Sequence, residues 1–576
     1  MVTSKKKMAV RLGTVFTAAA LALPLLSFVG TTTASAAKVA NAVSFPRNQT
    51  LYTSGTEYGP PTNFNPLNTG NFYTGTMGLL YEPLFLYNPI TNGYMPWLAT
   101  SGTWSGSTYT IAVRPGVKWS DGSALTGADV AYSISLAKSN PTVPYSNLGQ
   151  YINSVTANGN TVTVSFTSPP PYTAWQRYLW NQPVLPKAVW STLSPTDQVT
   201  SANLSPVSTG PMSLVASTTG SSSTQACYQV NPNWWGISQM HLSFSFKYLC
   251  DAVNASNNVE LSNLVSNQID WSNNFLPGIS SLIKGLNGTG GYGLRTFYKV
   301  APYMLSANTA WLEMNTTKAP MNNANFRKAV ADAVNPQAIV NGVYTGIVKA
   351  ANPTGLLPNL DSYVSASAVK QYGFSYNPGM AKTLLKASGY KGQKLTLEVP
   401  DGWTDWMAAI QIIAQQLNKV GINVSPIYPS SNARTADEAS GNYDMMIDNN
   451  AQLDATPYSY FDRVYQLPIA KSQSAQLNVE RFSDPTAWAL VQKAATTPTT
   501  NASALNAIYS QIETRFLQQL PEVPLWYNGA WFQAQTSVWN NYPSNTNPSD
   551  RFTPVMWAGY LGAMTTVLAL AELKPA

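Results

Sequence analysis

A chain of 576 residues exceeds the roughly 250–300 at which one hydrophobic core stops growing, so at least two lobes are expected. Hydrophobic residues make up 44% and charged residues only 10%, against about 25% in an ordinary domain, and Asn, Ser, Thr and Gln with 17 Trp and 31 Tyr supply a neutral polar and aromatic surface suited to hydroxylated or peptide ligands. The net charge of +7 is partly carried by Lys5, Lys6, Lys7 and Arg11; beyond residue 36 the chain has 29 basic and 26 acidic residues and no cluster able to neutralise several phosphates, which argues against nucleic acid as a partner.

In chain order, the basic stretch at 5–11 precedes an apolar run from Leu12 to Val29 and the small-residue exit Ala34-Ser35-Ala36. This is the pattern of an export signal, residues 1–36, cleaved after Ala36. The run is almost long enough to span a membrane, but Thr, Pro24, Ser27 and the Ala-Ser-Ala exit favour cleavage over an uncleaved anchor. Residues 108–115 and 160–169 alternate like strands, and 127–139 reads as a helix, with Thr126 as its N-cap and Asp129 three residues on. Cys227 and Cys250, the only cysteines, are expected to form a disulfide in an oxidising compartment, across turn residues 231–236 and a strand at 242–249 with the single His241 at its start. Helices are expected at 323–335, at 377–390 and at 408–422, the last with Ile410, Ile413, Leu417 and Val420 on one side and Gly421 at its end. A strand at 423–428 follows, giving a mixed α/β chain whose helix–strand alternation is strongest after about residue 310.

Three clusters place large aromatic rings beside Asn, Asp or Gly in loop-like sequence: 269–277 with Trp271, Asn273, Asn274 and Phe275; 400–406 with Trp403, Asp405 and Trp406; and 526–532 with Tyr527, Asn528 and Trp531. Rings that stack on sugar faces, beside amides and carboxylates that pair with hydroxyls, suit an oligosaccharide. The competing reading of each Trp is core packing.

The segment RPGVKWSDGSALTGADVAYSI at 114–134 resembles a signature of the extracellular solute-binding proteins of family 5, departing from it mainly at Gly127. LLYEPLFLY (79–87), PWLATSGTW (96–104), NWWG (233–236), LVSNQIDW (264–271) and LEMNTTKAPMNNANFRKAVADAVN (312–335) are similar to further family segments, in family order. The resemblance implies a two-lobed α/β receptor of the periplasmic-binding-protein kind, with an extra subdomain inserted in lobe one and a ligand cleft between the lobes. Mapped here, lobe one takes 37–80, the insertion 81–207, lobe one again 208–308, lobe two 309–525 and a return to lobe one 526–576, with crossings near 303–315 and 523–527. The three aromatic clusters resemble the oligosaccharide-binding branch of the family. Peptide-binding members hold the peptide's α-amino group with an acid in an Ala-Asp-Tyr-x-x-Pro segment; here Asp454 stands three residues before Pro457 with no Tyr after it, and Asn449, Asn450 and Gln452 offer neutral amides instead. Glu57 and Tyr58, where the first strand enters the cleft, complete the candidate ligand contacts.

The expected function is therefore the substrate-binding receptor of an ABC importer, capturing an oligosaccharide, or alternatively an oligopeptide, and delivering it to a membrane permease. A secreted glycoside hydrolase would need two facing carboxylates, and nothing marks Glu57, Asp270, Asp405 or Asp454 as such a pair. No esterase or zincin motif is present, and one His with two Cys makes no metal centre, so neither catalysis, cofactor nor metal is expected. The protein is expected to be an exported monomer, periplasmic or at the cell surface, without a cysteine after the signal for lipid attachment.

Overall fold

The computed structural model describes residues 44–55, 59–68, 72–284, 294–449, 453–469, 477–545 and 566–576. The export signal and its cleavage site, Glu57, Tyr58, Asn450 and Gln452 lie outside them.

Two sheets anchor the two lobes. The lobe-one sheet has seven strands in the order Leu294–Arg295, Gln533–Gln535, Trp271–Ser272, Thr50–Ser54, Tyr248–Ala252, Gln225–Val230, Met212–Leu214. The lobe-two sheet has six: Lys349–Ala350, Glu522–Gly529, Ser306–Met314, Met445–Asn449, Leu395–Glu398, Val424–Ile427. The chain leaves the first sheet after Arg295, enters the second at Ser306, and returns between Gly529 and Gln533. Both crossing strands are thus neighbours in one sheet, antiparallel, with Thr309 opposite Tyr527 and Ala310 opposite Trp526.

A four-stranded antiparallel sheet lies apart from both: Ala99–Ser105, Thr108–Val113, Thr161–Phe166, Ile152–Asn158. The helix Gly127–Ser139 covers it, burying Val130, Ile134 and Leu136. Its start is the expected capping box: the Thr126 hydroxyl accepts from the Ala128 N–H while the Asp129 carboxylate accepts from the Thr126 N–H at 2.9 Å. Gly127, the departure from the family segment, is explained by packing. A Cβ there would lie 2.4 Å from the carbonyl oxygen of Gly159 in the adjoining hairpin.

Helix Thr404–Val420 buries Trp406, Ile410, Ile413, Leu417 and Val420 on one face and ends at Gly421 in the left-handed region, φ +102. Helices Ala324–Ala333 and Pro378–Ser388 and strands Thr108–Val113 and Thr161–Phe166 stand where the sequence pattern puts them. Cys227 and Cys250 face each other across antiparallel strands and are bonded.

Two local expectations are corrected. Residues 242–247 form no strand, and His241 is the left-handed C-cap (φ 54) of a short helix, Trp235–Met240. The aromatic stretch 526–532 is not a loop: Trp526, Tyr527 and Asn528 belong to the crossing strand Glu522–Gly529, buried at every position. Covered on both faces, that strand loses the apolar–polar alternation by which an exposed strand is recognised. No helix among the described residues is long and apolar enough to cross a membrane.

Candidate functional site

The two lobes meet on either side of the paired crossing strands. On one side an aromatic seam joins them. Phe275, from the lobe-one loop after Trp271–Ser272, meets Tyr344 of lobe two edge-on at 5.1 Å and Trp531 of the returning chain at 5.4 Å. Tyr344 and Trp531 lie nearly parallel with centroids 6.3 Å apart, and Trp526 is 5.4 Å from Tyr344.

Asp405 fixes this seam from the first turn of helix Thr404–Val420. Its carboxylate accepts from the Tyr344 hydroxyl at 3.0 Å and from the Asn257 amide of lobe one at 3.1 Å. Burial pushes its pKa up to about 6, opposed by those two hydrogen bonds and by N–H groups of its own helix end. Asp405 therefore sets a ring and ties lobe to lobe. Trp403, half-buried, and Trp406, buried, meet edge-on at 4.7 Å behind it.

Asn273 and Asn274 hold the end of the first strand where it reaches this region: their amides donate to the carbonyls of Ser54 at 2.9 Å and Gly55 at 2.5 Å. Asn274 also donates to Glu260 at 2.7 Å, a wholly buried carboxyl that burial pushes up to about 7. The Asn273 Oδ1 is buried without a partner, as is the Oδ1 of Asn528 on the crossing strand.

On the other side, the small antiparallel subdomain leans on lobe two. Tyr87 and Trp180, 5.1 Å apart, pack with Ala307, Leu357, Leu453, Tyr527 and Ala530 in one apolar cluster. Asp454 is paired with Arg177 of this subdomain at 3.0 Å, and the guanidinium lies 5.7 Å from the Trp180 ring centroid. Asn147 donates to Asp462 at 3.2 Å, adding a second polar tie between the same parts. The Tyr527 hydroxyl accepts from the Asn352 N–H at 3.0 Å and donates to the Leu356 carbonyl at 2.9 Å. A half-open cavity of about 350 Å3 adjoins this cluster, lined by Tyr298, Met304, Ser306, Lys349, Asn359, Leu453 and Tyr527, among others, and so by both lobes and both crossing strands.

The structure thus brings together Phe275, Asp405 and Trp531 at the seam, with Trp403 and Trp406 behind, and Tyr527 and Asp454 on the far side. Trp271 is elsewhere: fully buried in lobe one, edge-on to Phe532 at 5.0 Å and Tyr542 at 5.8 Å. Asn449 ends its strand opposite Ala310. Tyr344, Asn257, Arg177 and Trp180 carried no sequence signal, because their partners stand 61 to 277 residues away or in another lobe, and Tyr87 was visible only as the end of the segment 79–87. Of the four carboxylates considered for a hydrolase, Asp270 pairs with Arg47 at 2.5 Å, Asp454 with Arg177, and Asp405 accepts from Tyr344 and Asn257, while Glu57 lies outside the described residues.

Comparison with known proteins agrees with this architecture. A mannohexaose-bound periplasmic oligopeptide-binding protein of an oligopeptide ABC transporter from Thermotoga maritima is 35% identical, with a TM-score of 0.86 over 92% of this chain and 99% of that one. The oligopeptide-binding protein OppA of Bacillus subtilis is 24% identical over 74% of this chain and 78% of its own length. The probable periplasmic-binding protein SapA of Escherichia coli is 25% identical, but there the match spans only 38% of this chain and 39% of SapA. The model of the bacterial extracellular solute-binding proteins, family 5, matches residues 93–470, and with two lobes, paired crossing strands and an interlobe cavity in place, the chain belongs to that family.

Proposed function

We propose that the protein is the substrate-binding receptor of an ABC importer and that its ligand is a neutral oligosaccharide enclosed between the lobes. The observation that carries the sugar reading is the Arg177–Asp454 pair. An acid that would receive a peptide's amino group is already neutralised at 3.0 Å by a guanidinium, with Asp454 4% exposed. What the cavity wall offers a ligand is neutral rings and hydrogen-bonding groups, Tyr298, Ser306, Asn359 and Tyr527, beside one cation, Lys349. The cavity of about 350 Å3 lies at the small end of the range for ligand pockets and is walled by both lobes, so its occupant contacts both and favours their closure. The mannohexaose in the Thermotoga protein supports the same chemistry.

The test is thermal unfolding of the mature protein with mannohexaose, cellohexaose and short peptides. A ligand at 100 times its dissociation constant stabilises by about 2.7 kcal/mol. A shift with one of the hexaoses and none with peptides is expected. Shifts with peptides alone would return the protein to peptide transport.

A further inference from the structure

Six lysines of lobe two, apart from Lys349 at the cavity, form a surface the ligand region does not use. Residues 362–397 contain Lys370, Lys382, Lys386, Lys391 and Lys394 and no acidic residue, more than the whole excess of positive over negative charge beyond residue 36. All five are exposed, as is Lys419.

The fold gathers most of them at one end of the lobe. Lys382 and Lys386 stand one turn apart on helix Pro378–Ser388, and Lys419 lies in the last turn of helix Thr404–Val420. The ends of these helices adjoin: a Cβ on Gly421 would lie 3.6 Å from Leu385. The loop carrying Lys391 and Lys394 is tied to the same place, since the Asn423 N–H donates to the Tyr390 hydroxyl at 3.0 Å and its amide to the Gly392 carbonyl at 3.3 Å. Lys394 precedes the first residue of strand Leu395–Glu398, whereas the far end of that strand leads on to Trp403 and Asp405 at the seam. The lysines therefore lie at the end of lobe two away from the ligand.

None of these six lysines pairs with a carboxylate among the described residues; Asp444, near Thr396, is engaged by Lys318 at 3.6 Å. Lys386 and Lys419 complement the negative ends of their helices, which alone would account for those two. Lys391 and Lys394 belong to no helix end. Met380, 48% exposed, and Tyr376, 42% exposed, stand at the start of the same helix, on another face from Lys382 and Lys386. Several flexible point charges spread over one end of the lobe, with no carboxylate partner, complement a diffuse anionic surface such as that of an acidic bilayer.

We propose that this end of lobe two docks on an anionic phospholipid bilayer and holds the receptor at the membrane with its ligand cleft unobstructed. This does not depend on which ligand the cleft takes. The experiment is sedimentation of the mature protein with phosphatidylcholine vesicles, with and without phosphatidylglycerol, at low and high ionic strength. Binding is expected only with phosphatidylglycerol and only at low salt. K382Q/K386Q/K391Q/K394Q should weaken it by about fivefold per lysine, several hundredfold in all, while keeping the ligand-induced thermal shift of the unmodified protein. The charge-matched control K187Q/K247Q/K299Q/K574Q should bind as the unmodified protein does. Equal binding to both vesicle types, equal losses in the two variants, or retention on an immobilised acidic protein without binding to vesicles would each overturn the proposal.

Discussion

Three indole N–H groups converge on one carboxylate: Trp97 at 2.8 Å, Trp235 at 3.0 Å and Trp234 at 3.3 Å donate to Glu82, which is 1% exposed. Burial pushes this acid up to about 7, and Arg114, its guanidinium 4.7 Å from the Trp235 ring centroid, stands nearby. Trp97, Trp234 and Trp235 of the family-like segments 96–104 and 233–236 thus satisfy a buried acid of the segment 79–87. Asp405 plays a comparable part at the seam, and there the chemistry is testable. Asp405→Ala strands the Tyr344 hydroxyl and Asn257 amide and should cost about 2–4 kcal/mol, since hydrogen bonds to a charged group are worth about 1.5–3 kcal/mol. Asp405→Asn keeps an acceptor and should cost less than about 1.5 kcal/mol. Urea unfolding of the two variants checks this; equal losses would mean that the seam is held by ring packing alone. Residue by residue, composition revealed that the Trp are important but not which way they face. Trp271, Trp406 and Trp526 are 2% exposed or less, and only their partners across the chain decide that.

At the scale of elements, helices with their own stop signals were legible. Asn377 and Gly389 bracket one helix and Gly421 ends another, because capping is local chemistry. Elements whose identity depends on what covers them were less legible: the strand character of residues 526–529 and the helix Trp235–Met240 carry no local signal, although a crossing near 523–527 was expected. The cysteine pair was legible for a third reason, that spacing and compartment leave little choice. The bond joins adjacent strands of the lobe-one sheet across a sequence separation of 23. Cys227→Ser with Cys250→Ser should lower stability by about 3 kcal/mol through the freed loop, read as a drop in Tm that reductant reproduces in the unmodified protein. A drop in neither would show that the sheet alone holds these strands.

The whole molecule stores an unusual amount of acid in its interior. In lobe two, Glu313, Glu438, Asp448, Glu480 and Glu522 surround two guanidiniums: Arg463 lies 2.8 Å from Glu313 and 3.4 Å from Glu480, and Arg434 lies 2.6 Å from Glu438 and 3.2 Å from Asp448. Burial and neighbouring acids hold Glu313 and Glu522 well above the usual carboxylate range, and burial pushes Glu438 and Glu513 up to about 8 and Glu82, Glu260 and Glu398 up to about 7. These acids keep protons in the folded state that the unfolded chain, with glutamates near 4.3, has already released. Stability from this source is present at low pH and falls as pH rises through the interval from about 4.5 to about 8, at roughly 3 kcal/mol for an acid held near 7. The Tm of the protein should accordingly be higher at about pH 5.5 than at about pH 8.5. A flat or rising Tm would show that water or counter-ions reach these groups. The two-lobed plan could be read from ordered segments along the chain; this acid store could not, because it joins residues from 313 to 522 that meet only in the folded lobe.

The strand order of lobe one has a further consequence for assembly. All six strands of the lobe-two sheet come from one continuous stretch, Ser306 to Gly529, whereas the lobe-one sheet needs Gln533–Gln535 between Leu294–Arg295 and Trp271–Ser272. Each sheet therefore has a gap beside one edge strand until the returning segment arrives: Glu522–Gly529 fills it in lobe two, and Gln533–Gln535, just after it in sequence, fills it in lobe one. The same segment also carries Trp531, which meets Phe275 and Tyr344 at the seam. A chain that stops before residue 522 therefore lacks a strand in each sheet as well as Trp531, and the two lobes are completed together by one return segment.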